Sequence, residues 1–101
     1  MTNLLAIVFI INSLAVAGGS KEPHAFVFKP DASKQCEANS GISLETMERE
    51  LKDIKVFSKA KGDDGKMYAA VCGGKTGRLN VYEITQKDLA KALNLGFTEK
   101  K

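Results

Sequence analysis

Cys36 and Cys72 are the only two cysteines among 101 residues, so one intrachain pairing is open to them. A bond between them would tie the first half of the chain to its second half, and any fold must bring these two positions together. In the chain-entropy picture a loop of this length stabilises by about 3 to 4 kcal/mol, a large share of a small domain's net stability. The alternatives are two separate buried thiols or a metal pair. Two cysteines with one distant histidine, His24, fall short of the ligand count of a closed metal site.

The first seventeen residues, MTNLLAIVFIINSLAVA, bear on whether that bond forms. The apolar run Leu4 to Ile11 resumes after Asn12 and Ser13 and ends in Ala15-Val16-Ala17, before Gly18-Gly19-Ser20. This is the pattern of a secretory signal with an A-x-A cleavage site, and cleavage is expected after Ala17. No Lys or Arg precedes the apolar run, which leaves the α-amine as its only positive charge. A retained anchor would need about 20 apolar residues, more than this run supplies; a buried N-terminal helix is the other rival. No cysteine lies near Ala17, so lipid attachment there is not indicated.

Cleavage would leave residues 18–101 as one domain, near the size at which a hydrophobic core alone is marginal. Export carries both cysteines to a compartment where disulfides persist. One bond in so short a chain, with many lysines and no tryptophan, suits a bacterial periplasm better than a disulfide-dense secreted eukaryotic domain. No Asn-x-Ser/Thr acceptor follows Ala17, in keeping with that reading.

The mature chain opens on a flexible leader, residues 18–23. His24 to Lys29 (HAFVFK) reads as a strand ended by Pro30, which has no N–H for a ladder. Residues 31–40 form a polar loop around Cys36. Ser43 is a helix N-cap, with Glu45 favourably placed near the helix's positive end and Ile42 stapled to Met47. Leu44, Met47, Leu51 and Ile54 recur as one apolar stripe, and Glu45 with Arg49 and Glu48 with Lys52 form acid-first pairs on the other face.

Periodicity then changes to extended. Lys55–Lys61 and Lys66–Cys72 flank Gly62-Asp63-Asp64-Gly65, which predicts a tight hairpin turn. After the linker Gly73–Gly77 comes a strand Arg78–Ile84, with Leu79 and Val81 on one face and Asn80 and Tyr82 on the other. Thr85 caps a second helix in a capping-box-like arrangement with Asp88, and Ile84 staples to Leu89. Leu89, Ala92 and Leu93 form its buried side, Gly96 ends it, and Phe97 folds back. Residues 98–101 read as a frayed basic tail. The expectation is a small single α+β domain over 24–97, order β-α-β-β-β-α: an antiparallel three- to four-stranded sheet with two helices on one face and one disulfide.

Several motifs tempt a chemical reading. Gly73-Gly74-Lys75-Thr76 ends like a phosphate-binding loop, but the first glycine of that motif would fall on Ala69, and Gly77-Arg78 leads into a strand instead of a helix. Gly62-Asp63-Asp64-Gly65 lacks the alternating oxygen ligands and terminal Glu of an EF-hand. His24 has no partner that the sequence advertises. No motif asks for a cofactor or a metal. The net charge of +3, from 15 basic and 12 acidic residues, is an interspersed surface without the footprint of nucleic-acid binding. Lys55, Lys59, Lys61 and Lys66 cluster at the first hairpin. They could meet an anionic polymer or membrane face, but serve more simply as edge-strand lysines that oppose aggregation.

These observations favour a small exported, periplasmic or secreted, non-enzymatic protein-binding or inhibitor-like module with a protein partner in the envelope. It would have no membrane span once cleaved. Its recognition loop is placed at Gly73, Gly74, Lys75, Thr76, Gly77 and Arg78, where the disulfide at Cys72 anchors one end. The alternatives are a small envelope enzyme using His24 or the Asp63/Asp64 pair, and a purely structural envelope protein.

Overall fold

The computed structural model describes residues 22–101; the signal peptide expected over 1–17 and the start of the leader over 18–23 lie outside them. Four antiparallel strands form one sheet: β1 His24–Pro30, β2 Ser58–Asp63, β3 Arg78–Thr85 and β4 Thr98–Lys100, in the spatial order β2-β3-β1-β4. β1 and β3 are the long central pair, with Val27 opposite Tyr82, and Ala60 of β2 lies opposite Val81. Alternation along each strand sends Val27, Asn80, Tyr82 and Ile84 to one face and Phe26, Phe28, Leu79 and Val81 to the other.

Two helical segments cover the first face. α1, Leu44–Glu48, continues into a 3-10 turn Arg49–Leu51; α2, Leu89–Asn94, is entered through a 3-10 turn Gln86–Asp88. Their apolar residues Met47, Leu51, Ile54 and Ala92 join Val27, Tyr82, Ile84 and Phe97 in a single core. The expected α+β architecture, one small domain with an antiparallel sheet, two helices and one disulfide, is present. Ser43 caps α1 as its sequence dictates, its Oγ accepting from the Thr46 N–H at 3.0 Å. Gly96 ends α2 at φ +99°, a region open to glycine without a Cβ penalty. Its N–H reaches Leu93 O and that of Phe97 reaches Ala92 O, closing the helix and tucking Phe97 into the core.

Several elements lie differently from their sequence patterns. No strand forms over Lys66–Cys72, and no tight turn forms at Gly62-Asp63-Asp64-Gly65. β2 starts at Ser58 and runs on through Gly62 and Asp63, so that Asp63 faces Arg78. The Asp64 N–H then donates to Gly77 O at 2.9 Å, leaving residues 64–77 as the wide loop of a β2–β3 hairpin. The fourth strand is supplied by the expected frayed tail: Thr98 and Lys100 pair with Phe28 and Phe26, because the buried ring of Phe97 delivers the tail to the free edge of β1.

α1 is shorter than the apolar stripe, since Lys52 turns to φ 53°, although Leu51 and Ile54 beyond its last turn are still buried. Its acids therefore reach across the fold instead of along the helix, Glu48 to Lys59 and Glu50 to Lys29, both at 2.6 Å. Thr85 precedes the 3-10 turn into α2, but its hydroxyl donates to Asp88 Oδ2 at 3.1 Å instead of accepting from the backbone.

Candidate functional site

Two loops meet on one end of the sheet, residues 31–42 and 64–77, and the disulfide joins them. Cys36 and Cys72 are bonded, with their Cα atoms 5.1 Å apart across a sequence separation of 36. Beside Cys36, Gln35 takes over the work of a missing strand. Its Nε2 donates to Ala69 O and Lys75 O, both at 2.9 Å, and its Oε1 accepts from the Val71 N–H at 3.0 Å. Its backbone exchanges hydrogen bonds with Gly73 and Gly74. Backbone polar groups that would otherwise demand a ladder or water are thus satisfied by one residue.

Asp31 anchors the first loop to the sheet. It is 2% exposed; its Oδ1 accepts from the Ser33 N–H at 2.8 Å and its Oδ2 from Lys61 Nζ at 2.9 Å. Its backbone links to Arg78 O and to the Ile42 N–H. Burial pushes the Asp31 carboxyl up, yet hydrogen bonds from Ser33 and Lys61 outweigh it and hold the group below the usual carboxylate range. Ala32 and Cys36 sit at φ 63° and 69°. Such left-handed non-glycine residues cost about 1 kcal/mol or more each and persist where surrounding contacts over-determine them.

Of the six residues placed in the recognition loop, four are frame and two are surface. Gly73 and Gly77 have φ +86° and +79°, and a Cβ on Gly77 would lie 2.8 Å from the side chains of both Asp64 and Tyr68. Gly74 packs against Val71, and Thr76 Oγ1 turns inward to Ser33 Oγ at 2.6 Å. Lys75 and Arg78 are exposed. Beyond this base projects a tip that sequence reasoning assigned to a strand: Met67 is 94% exposed and Val71 55%. Its apolar residues were the visible signal, read as strand alternation because nothing in the sequence marks Gln35 as a backbone partner.

Asp63 and Asp64 shape the start of this loop. The Asp63 carboxylate accepts from the Gly65 N–H, and that of Asp64 accepts from the Lys66 N–H and the Tyr68 hydroxyl. The Tyr68 bond holds the Asp64 carboxyl below its ordinary value and raises the phenol. Between the loop and the uncovered sheet face lies a groove of about 490 Å³ with Phe28, Pro30 and Leu79 on its floor, within the size range of ligand pockets.

His24 stands at the opposite end of the sheet, where it pairs with Thr85, while Asp63 pairs with Arg78. The structure therefore does not bring the three candidate catalytic residues together. His24 does have a partner: its Nδ1 lies 2.7 Å from Glu83 Oε2, and its ring stacks on Phe57 with centroids 4.3 Å apart. Ser58 Oγ donates to the other Glu83 oxygen at 2.8 Å. The carboxylate stands between serine and imidazole, whereas a serine nucleophile needs the imidazole itself within reach. These contacts, His24 foremost, hold the Glu83 carboxyl below its ordinary value. Among the described residues no group of three or more His, Cys, Asp or Glu could hold a metal ion, and no helix is long and apolar enough to cross a membrane. Comparison with known proteins finds no family model that matches the chain and no curated protein or solved structure similar to it.

Proposed function

We propose that this protein is an exported, periplasmic or secreted, non-enzymatic module that binds a protein of the cell envelope in the manner of an inhibitor or accessory subunit. The contact surface is the loop 64–78. One observation carries the reading: solvent-facing Met67, Val71, Lys75 and Arg78 sit on a loop whose backbone is fixed by the Cys36–Cys72 bond and by Gln35. A loop already ordered loses little conformational entropy when a partner docks, which leaves more of the contact energy as affinity. Export is supported by the disulfide, a bond that persists in oxidising compartments. Affinity capture from the native envelope, using the tagged disulfide-bonded protein expressed with its own leader, tests the proposal. The Lys75→Ala/Arg78→Ala variant is expected to lose capture at an unchanged Tm. Capture undiminished both in that variant and in Met67→Ser would sink the loop assignment.

A further inference from the structure

We infer that the groove beneath this loop seats an acidic peptide segment carrying one apolar side chain; the inference rests on the protein-binding reading and names the chemistry of the partner. Both helices occupy one face of the sheet, so the other face presents Phe26, Phe28 and Val81 without a covering element. The groove lies where that face meets the loop. Phe28, Pro30 and Leu79 make its floor apolar, and cations stand on both sides: Lys66, Lys75 and Arg78 from the loop and β3, Lys100 from β4. Among the described residues none of these four has a carboxylate within ion-pair distance.

The acids that border the groove are already engaged. Asp63 and Asp64 accept hydrogen bonds from the first residues of the loop, and Glu99 stands 4.0 Å from Lys101 Nζ. On the helix side, by contrast, Lys29, Lys59 and Lys61 each have a carboxylate within 2.9 Å. Five cationic side chains line the groove against the three carboxylates of Asp63, Asp64 and Glu99, and this excess of positive charge over an apolar floor favours an acidic partner. An extended segment fits this layout. Its backbone alternates side chains, so an apolar side chain turned to Phe28 and Leu79 leaves its neighbours directed toward the flanking cations.

The test is an anisotropy titration of the disulfide-bonded protein with a fluorescein-labelled, end-blocked peptide, Glu-Glu-Phe-Glu-Glu. Two controls accompany it, Gln-Gln-Phe-Gln-Gln without charge and Glu-Glu-Gly-Glu-Glu without the apolar anchor. Saturable binding is expected, at least about fivefold weaker for either control and for the Lys66→Glu/Lys100→Glu variant, and weaker again from about 0.05 M to about 0.5 M NaCl. Both substituted lysines are exposed, and an unchanged urea midpoint verifies that the variant is folded. Equal binding of the uncharged peptide, or equal binding by the variant, overturns the inference. So does tighter binding to phosphatidylglycerol vesicles that the acidic peptide fails to displace, which would make the occupant a lipid surface. If native capture depends on Lys75 and Arg78 while the acidic peptide does not bind, the groove inference falls and the loop reading stands. If the peptide binds as described while capture ignores Lys75 and Arg78, the loop reading falls and the acidic seat stands.

Discussion

Asn80 and Tyr82 face the core from β3, both fully buried, and each uses its polar end to hold the entry of α1. Asn80 Nδ2 donates to Ile42 O at 2.9 Å, and the Tyr82 hydroxyl donates to Leu44 O at 2.7 Å. Burial pushes the Tyr82 phenol up, so it is a protonated donor at neutral pH. Tyr82→Phe removes that donor and strands a carbonyl, and should cost about 1 to 2 kcal/mol, read as a lower urea midpoint at unchanged slope; an unaltered midpoint would remove this bond from the account. Asp31 sets an acid limit. Its folded pKa is depressed, so its contribution is present above the unfolded carboxyl value and is lost as pH falls through the folded one, which places the loss below about pH 4. Glu83 and Asp64 shift in the same direction. Urea midpoints should fall between neutral pH and about pH 3, with a smaller fall in Asp31→Asn. A variant whose acid profile matches that of the wild type would show that other groups set the limit.

Among the elements, the 64–77 loop departs furthest from its sequence pattern. Lys66–Cys72 alternates well enough for a strand, but strand formation is decided by which backbone partners arrive, and here Gln35 and the Cys36 bond reach its backbone first. Local propensity cannot see a partner that lies thirty-odd positions away. The 98–101 tail shows the same effect in reverse, because Thr98-Glu99-Lys100 has weak strand character and is ordered by the free edge of β1. The helices were legible because their determinants are local: Ser43, Gly96 and the apolar spacings act within a turn or two. At this scale Cys36→Ser/Cys72→Ser should lower stability by about 3 to 4 kcal/mol. Hydrogen exchange should show amides of 69–75 losing protection first, with β1 and β3 protected until global unfolding. Simultaneous loss across sheet and loop would mean that the disulfide supports the whole domain instead of its loop.

For the whole molecule, the proposed leader and the disulfide both bear on the compartment, and mass spectrometry can check both. The mature protein should begin at Gly18 and weigh about 2 Da less than its reduced form, since forming the bond removes two hydrogens; a retained Met1 would separate the fold from the proposed export. By itself the sequence determined the class of the domain, the single cysteine pairing, the Ser43 and Gly96 caps and the apolar stripe of the first helix, because these depend on neighbours within a few residues or on a choice with one outcome. It also pointed to the end of the molecule where the loop lies. Only the tertiary structure decided that Asn80 and Tyr82 face inward, that the tail completes the sheet, and that lysines without an ion-pair partner among the described residues gather over an apolar floor. Each of those results from contacts between segments far apart in the chain, whose energies arise only when the sheet brings them together.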